Sequence, residues 1–415
     1  MIITERSMWP QRSVVLLIIL AAIVTIAASG AVAAPSAPEM RALQQERPLA
    51  REQWFNAIRA YPFQTIPRGA RLRALSQRDE LVRLQTQRRR QSVVAGATSG
   101  STLAPAMPVT PTWSLIGPRP VSSYWNALSE GGGSGRATDV IVDPSNANIV
   151  YLGTAGGGLW KSIDAGATWV PLTDTQASLA VGAIALDPNN PRTLYVGTGE
   201  GNSSGDSYYG AGLLKSTNGG ASWKRIAGPF VYQSFGALAV SPGDGALVLA
   251  GTYYGLYRSA DGGITWAPVL PGGTGYSILF DPSNPAVVYA ALGDIFGGAA
   301  NGVYKSTDAG QTWTRVKGTG TNVLPASNVG RLRLVMDQSN PATLYLSVAP
   351  AIGFTDPLGI YRTVDAGRNW VALTPPSSDE CCDWYGSVLA ASPTNPGVLF
   401  VGAGSMAQSA DGGVT

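Results

Sequence analysis

The sequence contains no histidine in its 415 residues. Histidine is the commonest acid–base group at neutral pH and the commonest metal ligand in proteins. Its absence excludes a Ser-His-Asp triad, a Cys-His dyad and a histidine-containing zinc site within this chain. Any proton transfer falls to Asp, Glu, Tyr, Lys or water. We therefore expect neither a metal ion nor a cofactor.

Cysteine and charged residues are also scarce. The two cysteines, Cys381 and Cys382, are neighbours in the chain, and two sulfurs form neither a structural zinc site nor a disulfide framework. They are either a strained disulfide or two thiols. Only 13% of the residues are charged, whereas 51 are glycine and 29 are proline. This composition favours many short strands joined by tight turns over a helical protein.

The N-terminus has the order of a secretory signal. Arg6 and Arg12 precede an apolar run at residues 14–28, and small residues follow up to Ala34. The Ala-Val-Ala sequence at 31–33 predicts cleavage before Ala34, so that residues 1–33 are a signal peptide and the protein is exported to the periplasm or the exterior. The alternative is an uncleaved membrane anchor, because residues 14–34 are long enough to span a bilayer.

Residues 34–95 differ in composition from the rest of the chain. They carry twelve arginines against five acidic residues, and their pattern predicts a basic helical arm. This arm either contacts an anionic membrane surface or serves as a packed helix or solvated spacer. Residues 96–111 are rich in Ser, Thr, Ala and Pro and predict a flexible linker. The later part of the chain is acidic overall, which argues against nucleic acid as a partner.

An eight-residue motif, called the box below, occurs six times. It begins with Ser or Thr, has Asp or Asn at its third position and Gly at its fifth, and ends with Trp, although the sixth copy stops at Thr415 before the Trp position. The Asp or Asn side chain accepts hydrogen bonds from following backbone amides, and Gly adopts the positive φ of a tight turn. The box is therefore predicted to be a structural hairpin turn, with the acceptors Asp164, Asn218, Asp261, Asp308, Asp365 and Asp411.

A second motif, similar to Asp-Pro-x-Asn-Pro, precedes each box between two apolar runs. Each repeat thus predicts four antiparallel strands, A to D, with the second motif as the A–B turn and the box as the C–D turn. A single repeat cannot bury both of its faces, so the repeats are expected to stack in a ring. The sequence predicts an all-β propeller over residues 112–415, with six blades visible and seven in the intact ring.

The segment at residues 112–116 resembles a strand D that lacks its A, B and C strands. We expect it to complete the last blade of the ring, and we expect the chain to end within that blade and leave the ring open. The alternative is that this segment closes a six-bladed ring by pairing with the strand that leads into Gln408.

The boxes and their spacing resemble those of the Asp-box (bacterial neuraminidase repeat) propellers. That group includes sialidases, xyloglucanase-like glycoside hydrolases, sortilin-like receptor domains and photosystem II assembly-factor propellers. The resemblance implies the scaffold, but the enzyme signatures are missing. No Arg-Ile-Pro segment of the sialidase type occurs, and the position that matches the catalytic Asp of the xyloglucanase-like family holds Ala155.

The predicted topology places the irregular B–C loops and the D–A links on one rim, called the loop face below. Variation concentrated on one rim is typical of a scaffold that presents a site. Aromatic residues beside carboxylates suit sugars or peptides, so the expected partner is a protein or carbohydrate ligand. The candidate ligand-binding residues are Tyr208, Tyr209, Tyr253, Tyr254, Trp384, Tyr385, Arg136 and Arg331.

Two functions remain open at this point. The first is a non-catalytic binding or assembly scaffold outside the cytoplasm, favoured because no recognised catalytic set is present. The second is a glycoside hydrolase that uses a carboxylate acid and base, for which Glu200 and Asp294 are the first candidates. A pair of carboxylates roughly 5–10 Å apart across a groove would favour hydrolysis.

Overall fold

The computed structural model describes Arg83 and residues 136–202, 207–352, 359–375, 386–402 and 406–414. All of them belong to one compact unit, Pro48–Thr415. The predicted signal peptide, linker and 112–116 strand lie outside the described residues, as does the basic arm apart from Arg83. Within the described ranges, no helix has the length and apolar character needed to cross a membrane.

The described residues form all-β sheets of antiparallel strands, each pairing its strands in chain order. The first three sheets, blades 1 to 3, consist of β1 (Ala137–Asp143), β2 (Asn146–Thr154), β3 (Leu159–Ser162) and β4 (Val170–Pro171); β5 (Val181–Asp187), β6 (Asn190–Thr198), β7 (Ala211–Ser216) and β8 (Lys224–Val231); and β9 (Phe235–Val240), β10 (Val248–Thr252), β11 (Gly255–Ser259) and β12 (Ala267–Pro271).

Blades 4 and 5 have the same four-stranded order, and blade 6 has three strands within the described residues. A two-stranded hairpin, which the sequence did not predict, lies in the link between blades 4 and 5. The strands are β13 (Thr274–Phe280), β14 (Val288–Gly293), β15 (Gly302–Ser306) and β16 (Thr314–Arg315); the hairpin β17 (Gly318–Thr319) and β18 (Asn322–Val323); β19 (Val329–Met336), β20 (Leu344–Pro350), β21 (Gly359–Thr363) and β22 (Val371–Leu373); and β23 (Val388–Ala391), β24 (Leu399–Gly402) and β25 (Met406–Ser409).

The blades form a propeller, as predicted. The first strand of each blade packs against the first strand of the next, in the order β1, β5, β9, β13, β19 and β23. The apolar core lies between successive blades: Tyr151 and Leu159 of blade 1, for example, share a buried cluster with Val181 and Ile184 of blade 2. Each sheet therefore buries its apolar side chains against its neighbours.

The boxes are hairpin turns in all six blades. In the third box, Asp261 Oδ1 accepts hydrogen bonds from Ser259 Oγ (2.7 Å) and from the amides of Ile264 and Thr265 (both 2.9 Å). The residues at the fourth and fifth positions both have positive φ, and the fifth is always glycine. The fourth is alanine in three boxes, a left-handed conformation that alanine seldom adopts. Its amide donates to the A–B turn of the same blade, so both turns share one rim.

A hydrogen-bonded clamp links the boxes of blades 2 to 5 to the preceding blade. Tyr195 on β6 and Lys215 on β7 are paired across the sheet, and both donate to the carbonyl oxygen of Gly262, at 3.1 Å and 2.7 Å. Gly262 is the fourth residue of the next box. Tyr151 and Lys161 clamp Gly219 in the same way, although the tyrosine contact is long at 3.5 Å. Burial raises the pKa of Tyr195 to about 12.

Blades 3 and 4 use variants of this clamp, and blade 5 brings the same pair of side chains to the next box. Arg258 alone donates to the carbonyl of Ala309 (2.9 Å), because Leu249 stands at the tyrosine position. Tyr289 donates to Ala366 (3.4 Å), with Lys305 Nζ stacked 5.2 Å from the centre of its ring. The corresponding residues of blade 5 are Tyr345 and Arg362, whose guanidinium lies 5.7 Å from the tyrosine ring centre.

The first strand of each blade is the innermost one. In blades 1 to 5 this strand carries a register shift near its first residues. Such bulges re-aim side chains and are frequent beside functional sites. In blades 2 and 3 the inserted residue is Gly182 or Gly236, and a Cβ there would meet a neighbouring backbone oxygen at 2.1 Å or 2.6 Å. In blades 4 and 5 the shifts fall at Tyr276 and Arg331, which place large side chains at the loop face.

We expect Asp261→Ala to lower the melting temperature by a few degrees, because it removes the acceptor for the turn amides. Asp261→Asn should retain most of the stability, since Asn218 fills the same role in blade 2, where Oδ1 accepts from Ser222 N (2.9 Å). Neither change should alter ligand affinity per folded molecule. An alanine variant of unchanged stability that lost ligand binding would show the box to be a binding site.

Tyr195→Phe is expected to lower the free energy of unfolding by about 1–2 kcal/mol, the cost of removing a buried hydrogen-bond donor. Urea unfolding would measure this cost. Tyr232→Phe is the matched control, because Tyr232 is 47% exposed and its loss of a hydroxyl should have little effect. Equal stability of the two variants would contradict the importance of the clamp.

Candidate functional site

Glu200 is the most enclosed of the predicted site residues. It follows β6 in the B–C loop of blade 2, and its side chain has no solvent exposure. Arg136 Nη2 donates to its Oε2, Ser207 Oγ donates to the same oxygen (3.1 Å), and Asn202 Nδ2 donates to Oε1 (3.1 Å). Both carboxylate oxygens therefore accept hydrogen bonds from the protein. The contact between Arg136 and Glu200 joins blade 1 to blade 2.

Asp294, the other predicted carboxylate, follows β14 in the B–C loop of blade 4. Its Oδ1 accepts a hydrogen bond from the amide of Phe296 (3.0 Å), and the side chain is half-buried. The buried Asn301 holds this loop by accepting from the amide of Asp294 (2.8 Å) and donating to the carbonyl of Val329 (2.7 Å). The loop is thus fixed against blade 5, with the carboxylate at its surface.

Arginines from blade 5 cover a tyrosine of blade 4 at the loop-face end of the innermost strands. The guanidinium carbons of Arg331 and Arg333 lie 4.9 Å and 5.6 Å from the ring centre of Tyr276. Arg331 also donates to Asn202 Oδ1 of blade 2 (2.6 Å), and Arg333 donates to the carbonyl of Tyr276 (2.8 Å). We call Arg331, Arg333 and Tyr276 the arginine layer. It brings together residues of blades 2, 4 and 5.

Asp139 on β1 faces this layer. Its Oδ2 accepts from the amide of Ile184 on the next blade (2.7 Å). Burial raises the pKa of Asp139 to about 6, against the lowering effects of the Ile184 amide and the charge of Arg333. Burial also lowers the pKa of Arg333, while Asp139 and Tyr276 raise it. The two charges therefore interact, although they lie beyond the 4.0 Å of an ion pair.

Four tyrosines on the loops of blades 2 and 3 expose their rings at the loop face. Tyr208, Tyr209, Tyr253 and Tyr254 are 45%, 68%, 43% and 60% exposed. The rings of Tyr253 and Tyr254 meet edge to face, with centres 5.2 Å apart. The pKa of Tyr253 is raised by burial and then by Asp294, Tyr209, Tyr254 and Tyr276. Asp294, Tyr209 and Tyr276 therefore lie within electrostatic range of the Tyr253 hydroxyl. We call the four exposed tyrosines the tyrosine cluster.

Trp384 and Tyr385 lie outside the described residues. The sequence analysis did not single out Asn202, Tyr276, Arg333 or Asp139. Arg333 carried a usable signal, because it interrupts the apolar run at 332–336 that precedes an A–B turn. Within the described ranges, no three carboxylate or cysteine side chains come together as a metal ion requires.

A crevice between blades 4 and 5 is lined by Arg315, Leu324 and Val348, among others, and by no carboxylate. It has room for about one water molecule. The loop face, with its tyrosines and carboxylates, is therefore the better candidate for a ligand site.

The chain is similar to xyloglucanases in part of its length. No protein-family model matches it. A xyloglucanase from Paenibacillus sp is 29% identical over 174 residues, which are 39% of this chain and 17% of that protein. The chain thus aligns with about a fifth of the length of the curated relatives.

Solved GH74 structures share the fold. An ancestral GH74 enzyme superposes with a TM-score of 0.50 at 25% identity, covering 66% of this chain and 35% of that one. The GH74 enzyme of Niastella koreensis gives a TM-score of 0.52 at 24% identity, with coverage of 68% and 45%.

Glu200→Gln should lower the free energy of unfolding by about 1–3 kcal/mol, because it leaves the Arg136 charge without its carboxylate partner. This loss of stability is smaller than the loss expected for a fully buried ion pair, since the Arg136 side chain is 33% exposed. A double-mutant cycle with Arg136→Met would isolate the pair. Additive effects of the two changes would show that Glu200 and Arg136 do not stabilise each other.

Proposed function

We propose that this chain is an exported propeller that binds a carbohydrate chain on its loop face and does not cleave it. The tyrosine cluster is the observation that carries the proposal. Exposed aromatic rings with polar edges suit the mixed apolar and hydroxyl surface of a sugar. The edge-to-face pair of Tyr253 and Tyr254 offers a larger apolar surface than a single exposed ring does.

The relatives support the ligand class. A xyloglucanase acts on a polysaccharide, and this chain is similar to several such enzymes over about two fifths of its length. The GH74 structures share its fold over about two thirds of the chain. A carbohydrate is therefore a better-supported partner than a protein.

The carboxylates support binding over hydrolysis. A general acid must present its proton to the glycosidic oxygen, and the oxygens of Glu200 are enclosed by Arg136, Asn202 and Ser207. The position that resembles the catalytic Asp of xyloglucanase-like enzymes holds Ala155, which is buried beside Arg136. Of the two predicted catalytic carboxylates, both of which lie within the described residues, only Asp294 keeps an accessible position, and a hydrolase of this kind needs two.

Hydrolysis is the second candidate function, and the similarity to xyloglucanases favours it. Release of reducing ends from xyloglucan separates the two. A protein that only binds is retarded in a gel that contains the polysaccharide, and it releases no reducing ends. Release that disappears in Asp294→Asn would establish the hydrolase instead.

Tyr254→Ala is expected to weaken polysaccharide binding about ten-fold, equivalent to about 1.4 kcal/mol, because one stacking surface is lost. Affinity electrophoresis against a panel that includes xyloglucan and polygalacturonate measures the effect. Ile264→Ala is the matched control: Ile264 is 68% exposed but lies in a box on the other rim. If the wild-type chain bound none of the polysaccharides, or both variants bound alike, the proposed site would be wrong.

A further inference from the structure

Glu200 lies where three blades meet at the loop face. Its amide donates to the carbonyl of Tyr208 (3.0 Å) across the B–C loop of blade 2. Its backbone also forms a parallel bridge with Phe235, the first residue of blade 3. Its carboxylate accepts a hydrogen bond from Arg136, which directly precedes β1 of blade 1. The main chain and the side chain of one residue therefore fix this loop to both neighbouring blades.

The carboxylate also holds the part of the loop that carries two of the exposed tyrosines. Ser207 Oγ donates to Glu200 Oε2 (3.1 Å), and Tyr208 and Tyr209 directly follow Ser207. The Glu200 side chain has no solvent exposure, whereas the two tyrosines are 45% and 68% exposed. Hydrogen bonds to an ionised carboxylate are about twice as strong as neutral ones. Glu200 therefore anchors the segment that exposes these two rings.

The same segment is tied to the turn that carries the other two tyrosines of the cluster. The amide of Gly210, which ends the segment, donates to the carbonyl of Gln233 (2.8 Å). The amide of Tyr253 donates to the carbonyl of Ser234 (3.0 Å). Gln233 and Ser234 are consecutive residues in the link between blades 2 and 3. The two loops that carry the tyrosine cluster are therefore bonded to the same stretch of backbone, which places them side by side.

The turn of blade 3 has a support of its own. Thr252 Oγ1 donates to the carbonyl of Gly255 (3.1 Å) and accepts from the amide of Tyr254 (3.3 Å). Thr252 is fully buried and ends β10. The tyrosine cluster thus has two halves with separate anchors. Thr252 holds Tyr253 and Tyr254, and Glu200 holds the other pair.

From these contacts we propose that Glu200 is a positioning residue of the carbohydrate site, which holds Tyr209 in place for the ligand through Ser207. The inference rests on the proposed carbohydrate-binding function and assigns a role in it to a residue that the sequence suggested as a catalytic acid. An exposed ring that is fixed before the ligand arrives loses less conformational entropy on binding. Loss of the anchor should therefore reduce what Tyr209 contributes to affinity and leave the other half of the cluster unchanged.

Ser207→Ala removes the anchoring hydroxyl and leaves the ion pair of Glu200 in place, and Ser207→Thr is the matched control that keeps the hydroxyl. We expect Tyr209→Ala to weaken binding about ten-fold in the wild-type and Ser207→Thr chains, but less than about three-fold in the Ser207→Ala chain. Tyr254→Ala should weaken binding about ten-fold in all three chains. Affinity electrophoresis with xyloglucan and polygalacturonate as the probes measures these ratios per folded molecule.

Glu200→Gln provides a second variant, because it removes the charge that holds both Ser207 and Arg136. We expect it to reduce the contribution of Tyr209 as Ser207→Ala does. Tyr195→Phe is the control for lost stability, since it is also expected to destabilise the protein but acts at the clamp on the box rim. In that variant Tyr209→Ala should still weaken binding about ten-fold.

Hydrogen exchange measures the positioning without a ligand. We expect Ser207→Ala to speed exchange of the amides at residues 207–210 several-fold and to leave those at 252–255 unchanged. Unchanged exchange at 207–210 would overturn the anchoring role of Glu200. Additive effects of Ser207→Ala and Tyr209→Ala on affinity would overturn its role in binding while leaving carbohydrate binding intact. A wild-type chain that bound neither polysaccharide would overturn the proposed function and, with it, this role.

Discussion

The contact on which the propeller depends is the hydrogen bond from one blade to the box carbonyl of the next. The fourth residue of each box has positive φ, which turns its amide towards its own A–B turn. In the boxes of blades 2 to 5, its carbonyl accepts hydrogen bonds from the preceding blade, as it does from Tyr195 and Lys215 of blade 2. In blade 6 the corresponding pair is Phe400 and Gln408, so the tyrosine hydroxyl is missing at this position. One turn thus closes a hairpin and joins two sheets.

This constraint separates the two rims. On the box rim, each turn must keep its length and conformation, because its carbonyl has to meet a side chain of the neighbouring blade. The loop face has no such repeated contact among the described residues, so its loops vary in length and composition. The tyrosine cluster, Glu200 and the arginine layer all lie there. The regular rim therefore holds the scaffold while the other rim carries the chemistry.

The sequence predicted the scaffold well because its signals are local. The box encodes its own turn through Asp or Asn and Gly, and the strand order follows from four apolar runs per repeat. The clamp was not predicted, since it joins residues such as Tyr195 and Gly262 from different blades. The role of Glu200 was also unforeseen. Its position in a loop suggested an accessible acid, whereas only the packed structure shows its burial against Arg136.

The central claim is that the loop face binds a glycan without cutting it. A crystal structure of the chain with an oligosaccharide of the polysaccharide that it binds would test this claim most directly. We expect an intact oligosaccharide stacked on Tyr253 and Tyr254. A sugar bound on the box rim, or a chain cleaved beside Asp294, would contradict it.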